Sequence, residues 1–292
     1  MKNFLLLIIA SFITAALLSY TFKQPEPQVL TQECYITCYS NDVRDQFKNE
    51  ANTLAFASLH PNPLPFEIEN VTGNTISFTT PNGSNGSAYA IPSKNKTDNY
   101  LLVIHEWYGL NDYIKKEAET LSKELGDVNV LALDLYDGKV ASTADSAMKY
   151  VQGVNNQRLE SIIKGAIAYA GPSAKIFTIG WCFGGMWSLQ ASILAGKQGA
   201  GGVMYYGRPE TNVEKLKMIN ADIIGFFGNK DRSPSPEMVA AFEKTMAGAG
   251  KTLITNKYDA GHGFANPSNP GFNKEAKEDA HAKTINFLKS RM

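Results

Sequence analysis

Residues 175–187, KIFTIGWCFGGMW, switch from one hydrophobic periodicity to another within five residues, and few folds accommodate such a join. Lys175 to Ile179 reads as a short buried strand, apolar and β-branched, preceded by the turn residues Gly171-Pro172-Ser173. Met186, Trp187, Leu189 and Ile193 then recur with helical spacing. Between them lies Gly180-Trp181-Cys182-Phe183-Gly184, a G-x-C-x-G turn. Such a turn is so sharp that its central residue is strained, and small residues two positions either side let strand and helix approach. A thiol held there projects from the sheet end beside a helix N-terminus, whose free N–H groups favour a thiolate. The pentapeptide equally suits a buried cysteine in a glycine-rich connection, so the rest of the chain must discriminate.

From Asn99 onward the chain alternates regularly between strands and helices. Strands are predicted at Tyr100–His105, Val128–Leu133, Ala200–Tyr206, Ile223–Phe227 and Thr252–Tyr258, besides the one entering the turn. Helices are predicted near Asp112–Leu125, Ser142–Val154, Gln157–Ala170, Val213–Met218, Pro236–Ala249 and Lys274–Arg291. Repeated strand–helix units imply an α/β fold, a mostly parallel sheet with helices on both faces. Ahead of them, Thr75–Thr80 and Ala88–Ile91 flank the turn-rich PNGSNGS, an antiparallel hairpin at the sheet edge. Asn41 to Leu59 carries helical apolar spacing, and His60-Pro61-Asn62-Pro63-Leu64-Pro65 ends that helix, with His60 read as a plain loop residue.

Three segments follow: residues 1–22, an N-terminal extension over 23–65, and the α/β domain over 66–292. In the first, Lys2 precedes an apolar run from Phe4 to Leu18, matching a secretory signal peptide or a retained anchor. The chain is therefore expected to be exported, periplasmic or secreted, meeting a membrane only through that segment. Gln24 to Glu33, with Pro25 and Pro27, reads as a linker, and Cys34 and Cys38 can pair in an oxidising compartment. With 28 basic and 28 acidic side chains in 292 residues, nothing favours a nucleic-acid partner.

Ligands of parallel sheets bind outside the carboxyl ends of the strands. The residues at those ends are His105-Glu106-Trp107-Tyr108, Asp134-Leu135-Tyr136-Asp137-Gly138-Lys139, Cys182, Arg208, Asn229-Lys230-Asp231 and Asp259-Ala260-Gly261-His262. Cys182, Asp231 and His262 follow the order nucleophile, acid, base of the α/β-hydrolase fold. Asp231 also suits a cap for the following helix, and Asp259 is the alternative acid. His105 beside Glu106 finds no further convergent ligand for a metal, and His281 falls on a polar helix face. No metal or cofactor is implied.

The ordered set IHEWYGLN (104–111), LDLYDG (133–138), GWCFGG (180–185), YYG (205–207), GNKD (228–231) and AGHGFANP (260–267) resembles the dienelactone hydrolases. These are cysteine-nucleophile α/β-hydrolases, also called carboxymethylenebutenolidase-like enzymes, and the resemblance runs from about Phe66 to the C-terminus. It implies catalytic roles for Cys182, Asp231 and His262, a thiol-modulating carboxylate at Glu106, and an oxyanion hole from the backbone N–H groups of Phe183 and Trp107. The family arginines that hold a substrate carboxylate fall on Gly138 and Ala265. Lys139 and Arg208 stand nearby as candidate replacements. Tyr108, Tyr136 and Trp181 suggest an aromatic pocket for a small ester or lactone. A binding protein without turnover and a thiol redox protein are the rival readings of the same fold.

Overall fold

Eight strands form one sheet in the order β1-β2-β4-β3-β5-β6-β7-β8. The structure is a computed structural model that describes residues 42–69 and 71–292. The apolar run within residues 1–22, the proline-bearing linker, Cys34 and Cys38 lie outside the described residues.

β1 (Asn74–Thr79) and β2 (Asn85–Ile91) make the edge hairpin, and β2 also pairs antiparallel with β4. The remaining strands are mutually parallel: β3 (Asn99–Ile104), β4 (Asn129–Leu133), β5 (Lys175–Trp181), β6 (Gly199–Tyr205), β7 (Ile223–Gly228) and β8 (Leu253–Tyr258). Strands covered on both faces read as continuous apolar runs, which is how β3, β5 and β7 appear in the sequence. β6 shows both coverings through adjacent side chains. The Tyr205 hydroxyl meets Thr284 of α9 (Lys274–Lys289) at 2.7 Å. Met204, facing the opposite way, joins a cluster with Leu189, Ile193 and Phe242 from α6 (Phe183–Ala195) and α8 (Pro236–Gly248). α3 (Asp112–Leu125), α4 (Ala144–Gly153), α5 (Asn156–Ala170) and the short α7 (Val213–Lys217) complete the layers. Every residue of α6 except Leu194 is buried, as expected of a helix that is apolar all round.

The single N-terminal helix expected over Asn41–Leu59 is two: α1 (Val43–Ala51) and α2 (Leu54–Ser58). Thr53 leaves the helical region at φ −101°, ψ 144°, and its hydroxyl caps α2 by accepting from the Phe56 N–H. The break brings Phe56 edge-on to Phe47 of α1 at 5.6 Å, and Phe47 rests 5.7 Å from Phe183 at the head of α6. Arg208 then ties α1 down through Glu50 at 2.7 Å. Among the described residues, no helix is long and apolar enough to cross a membrane.

The chain steps outward from β3 to β4 and returns to the far side of β3 as β5. The topological switch point, where such sheets open a crevice, therefore falls between the carboxyl ends of β3 and β5.

Candidate active site

β5 ends at Trp181 and α6 begins at Phe183, so Cys182 alone turns the chain. It does so at φ 54°, ψ −115°, a conformation that costs a non-glycine residue roughly 1–3 kcal/mol. The Cys182 N–H donates to the Tyr205 carbonyl at 3.0 Å, anchoring the turn to β6. The flanking glycines are required by contact. A Cβ on Gly180 would lie 2.1 Å from the Gly184 carbonyl oxygen, and one on Gly184 would lie 2.2 Å from that of Ile104. The head of α6 is thus pressed against β3, which places Cys182 at the crevice.

The loops after β7 and β8 meet there. His262 Nδ1 donates to Asp231 Oδ2 at 2.8 Å, and both side chains are buried. Asp231 Oδ1 accepts from the Ser233 N–H, while Ser235 caps α8, so Asp231 is not that helix's cap. Asp259 pairs instead with the exposed Lys230. Burial opposes a charged His262, but the carboxylate of Asp231, together with the Cys182 sulfur, outweighs it and raises the imidazole well above its ordinary value. Burial pushes the Cys182 thiol up, with His262 pulling the other way.

Glu106, in the loop after β3, accepts from Asn266 Nδ2 at 2.9 Å, and burial raises its carboxyl to about 7. His262 and Asn266 act in the opposite sense. A carboxyl raised above its ordinary 4.5 on folding stabilises the fold fully below that value, and the stabilisation is lost as pH climbs through about 7. Wild type should therefore lose on the order of 2–3 kcal/mol between pH 4.5 and 8 that Glu106→Gln keeps. Urea unfolding of both proteins at the two pH values measures this. Equal losses in the two would remove the assignment.

His60 is the largest departure from the sequence reading. Far from being a plain loop residue, it is buried, with Nε2 3.6 Å from Cys182 Sγ. Its Nδ1–H donates to the Phe56 carbonyl at 2.8 Å, its ring stacks on Phe56 at 4.0 Å and meets Trp107 at 5.0 Å. The Tyr108 hydroxyl, donating to the carbonyls of His60 and Pro61, fixes the segment from below. Burial depresses the His60 imidazole to about 3, which keeps it neutral. One sequence signal existed: His60 follows Phe56 by four residues, just past the end of α2, close enough for the two rings to meet.

A cavity of about 220 Å³ opens over these groups, lined by His60, Glu106, Tyr108, Trp181, Cys182 and His262 among others. Of the aromatic residues singled out in the sequence, Tyr108 and Trp181 line it. Tyr136 is buried behind the site, against His105 at 4.7 Å and Phe183 at 5.5 Å. Lys139 and Arg208 do not line the cavity. Arg208 is drawn away by Glu50 and Gln46 of α1, and Lys139 is exposed beside the Tyr150 ring. The cations that do line it are Lys116 and Lys277, with His281 held by Glu124 at 2.7 Å. His105 is wholly buried, its Nε2 accepting from the Leu135 N–H. For a metal, the residues that converge among those described are His60, Cys182 and His262, whose ligand atoms lie within 4.8 Å of one another.

The family profile described as "Dienelactone hydrolase family" matches residues 87–292. Carboxymethylenebutenolidase 1 of Cupriavidus pinatubonensis is 26% identical over 231 residues, covering 73% of this chain and 95% of its own. A carboxymethylenebutenolidase of a Pseudomonas species is 29% identical over 136 residues, covering 44% and 54%. Among solved structures, a dienelactone hydrolase-like promiscuous phosphotriesterase from metagenomic libraries superposes with a TM-score of 0.63 at 19% identity, over 75% of this chain and 99% of that one. An esterase of Pyrococcus furiosus superposes at 0.59 and 17%, over 80% and 100%. At those identities the structural likeness speaks for the α/β-hydrolase fold.

Proposed function

The chain belongs to the dienelactone hydrolase family and is a hydrolase of ester or lactone bonds, and we propose that it works through an acyl-enzyme on Cys182. The observation that carries the reading is the 2.8 Å contact from His262 to Asp231, with Cys182 Sγ within 4.8 Å of a His262 ring nitrogen at the head of α6. In this reading His262 accepts the thiol proton as Sγ attacks the substrate carbonyl. The oxyanion that forms is held by the N–H groups of Phe183 and Trp107, the first at a helix N-terminus where N–H groups are free. Collapse expels the alcohol, or opens the lactone, with His262 returning the proton. Water activated by His262 then releases the acid, while Asp231 keeps the imidazole in the required tautomer. Glu106, close to the thiol and half-neutral near pH 7, tunes how readily the thiolate forms.

Hydrolysis of a panel of aryl esters and enol lactones, before and after alkylation, tests the proposal. A Cys34→Ser/Cys38→Ser variant leaves Cys182 as the single thiol. Turnover abolished by alkylation is the expected result; turnover that survives it would remove Cys182 as nucleophile.

The substrate's own charge is read by the cavity. Ala265 stands in the lining where the family's arginine would fall, and Gly138 replaces the other. We assign carboxylate recognition to Lys277, which is half-buried and faces Glu117. Lys277→Ala should raise KM for a carboxylate-bearing ester about 5-fold, a loss of roughly 1 kcal/mol, and leave that for its neutral analogue unchanged. An equal change for both substrates would refute the assignment. Export, read from residues 1–22, belongs to the same proposal, and cell fractionation of the tagged chain checks it.

A further inference from the structure

We propose that His60, Cys182 and His262 form a Zn²⁺ site whose occupancy switches the hydrolase off. A metal of this kind takes thiolate sulfur at about 2.3 Å and imidazole nitrogen at about 2.0–2.1 Å in tetrahedral array. Those lengths put sulfur and nitrogen roughly 3.6 Å apart along a tetrahedral edge. Cys182 Sγ and His60 Nε2 stand 3.6 Å apart, and all three ligand atoms fit within 4.8 Å. The two edges that involve His262, to Cys182 and to His60, lie within the same 4.8 Å, and rotation of the side chains closes them.

Both rings are also oriented as ligands are. Metal-bound histidines usually donate their second ring N–H to a carboxylate or a backbone carbonyl, which fixes tautomer and direction. His262 Nδ1 meets Asp231, and His60 Nδ1 meets the Phe56 carbonyl, each at 2.8 Å. His262 Nε2 is buried and has no hydrogen-bond partner among the described residues. The ring of His60 is further clamped by Phe56 and Trp107, so little ordering remains to be done on binding. The fourth position opens on the cavity and takes water.

Binding forms Zn–S and two Zn–N bonds and releases the thiol proton to solvent, together with the His262 Nε2 proton where one is present. No electron is transferred. The nucleophile's lone pair and the base's nitrogen are both occupied, so hydrolysis stops until a chelator withdraws the ion. The metal site needs only the geometry of the three residues, whereas its inhibitory effect rests on the hydrolase reading. A protein that binds Zn²⁺ but turns over no ester once the ion is withdrawn overturns the hydrolase reading alone, and ester turnover unchanged by bound Zn²⁺ overturns the switch.

The experiment is equilibrium dialysis of the full chain against buffered Zn²⁺, with Co²⁺ as a spectroscopic stand-in. One Zn²⁺ per chain is expected at this site, with intense tetrahedral Co²⁺ bands and a thiolate-to-cobalt charge-transfer band. Cys182→Ser, nearly isosteric, should abolish that band. Loss of partners outside the ligand set typically weakens such sites 10–100-fold, so His60→Gln should cost at least about 100-fold in Zn²⁺ affinity. Octahedral Co²⁺ spectra, or a thiolate band retained in Cys182→Ser and therefore owed to Cys34 and Cys38, would overturn the proposal. If His60→Gln fails to fold by circular dichroism, the Cys182→Ser spectrum decides alone.

Discussion

Cys182→Ala is expected to lower kcat/KM for ester hydrolysis by at least ~10⁴-fold, and His262→Ala by a similar factor, with the fold intact. The reasoning is that nucleophile and base act as one unit. Without the thiol there is no acyl-enzyme, and without the imidazole a thiol raised by burial stays protonated. Either loss alone therefore removes the covalent route entirely. The double variant should be no slower than the worse single one, because groups that act together are grossly non-additive. Steady-state kinetics on the three variants, with circular dichroism as the control, measure this. Multiplying defects, or a Cys182→Ala protein retaining about a hundredth of wild-type activity, would show that the site works some other way.

Gly184→Ala should cost about 4 kcal/mol or more, the range reached only when packing or backbone is broken. The added methyl would lie 2.2 Å from the Ile104 carbonyl oxygen and 2.5 Å from that of His105. Both are backbone atoms, one at the last residue of β3 and one at the residue just after it, so neither can swing aside as a flexible side chain does. Relief requires the head of α6 to lift from β3, and α6 is buried along nearly its whole length. For a protein of this size each kcal/mol moves the Tm by about 2–4 °C, giving a fall of roughly 8–16 °C. Differential scanning calorimetry is the measurement. A Gly184→Ala protein with wild-type Tm would mean that α6 does not pack on β3 as described.

Much of this was legible in the chain. The strand–helix alternation was readable because parallel strands are apolar throughout and the helices between them keep their own period. The G-x-C-x-G turn announced itself through the two glycines, and the Cβ contacts at Gly180 and Gly184 supply the reason. Placement of Cys182, Asp231 and His262 together followed from their positions past the carboxyl ends of β5, β7 and β8. Side-chain direction did not follow. Arg208 sits past β6 as the sequence suggests, yet its guanidinium answers to Glu50, 158 residues away. The break at Thr53 was hidden because α1 and α2 share one continuous apolar spacing. His60 escaped for the same reason on a larger scale: its proline-rich surroundings describe a loop and say nothing of a partner 122 residues downstream.

The strip from Asp42 to Pro65 changes what counts as the enzyme. The match to the family profile begins at residue 87, inside β2, and by that measure everything before it would pass for a dispensable leader. Yet that strip supplies a ring 3.6 Å from the thiol and one wall of the cavity, and it commits Arg208 to holding it in place. A chain trimmed to the likeness would lose β1, part of β2 and the cover over its own nucleophile. The boundary drawn by kinship and the boundary drawn by chemistry are different lines in this molecule. Anyone grafting, trimming or screening homologues should follow the second.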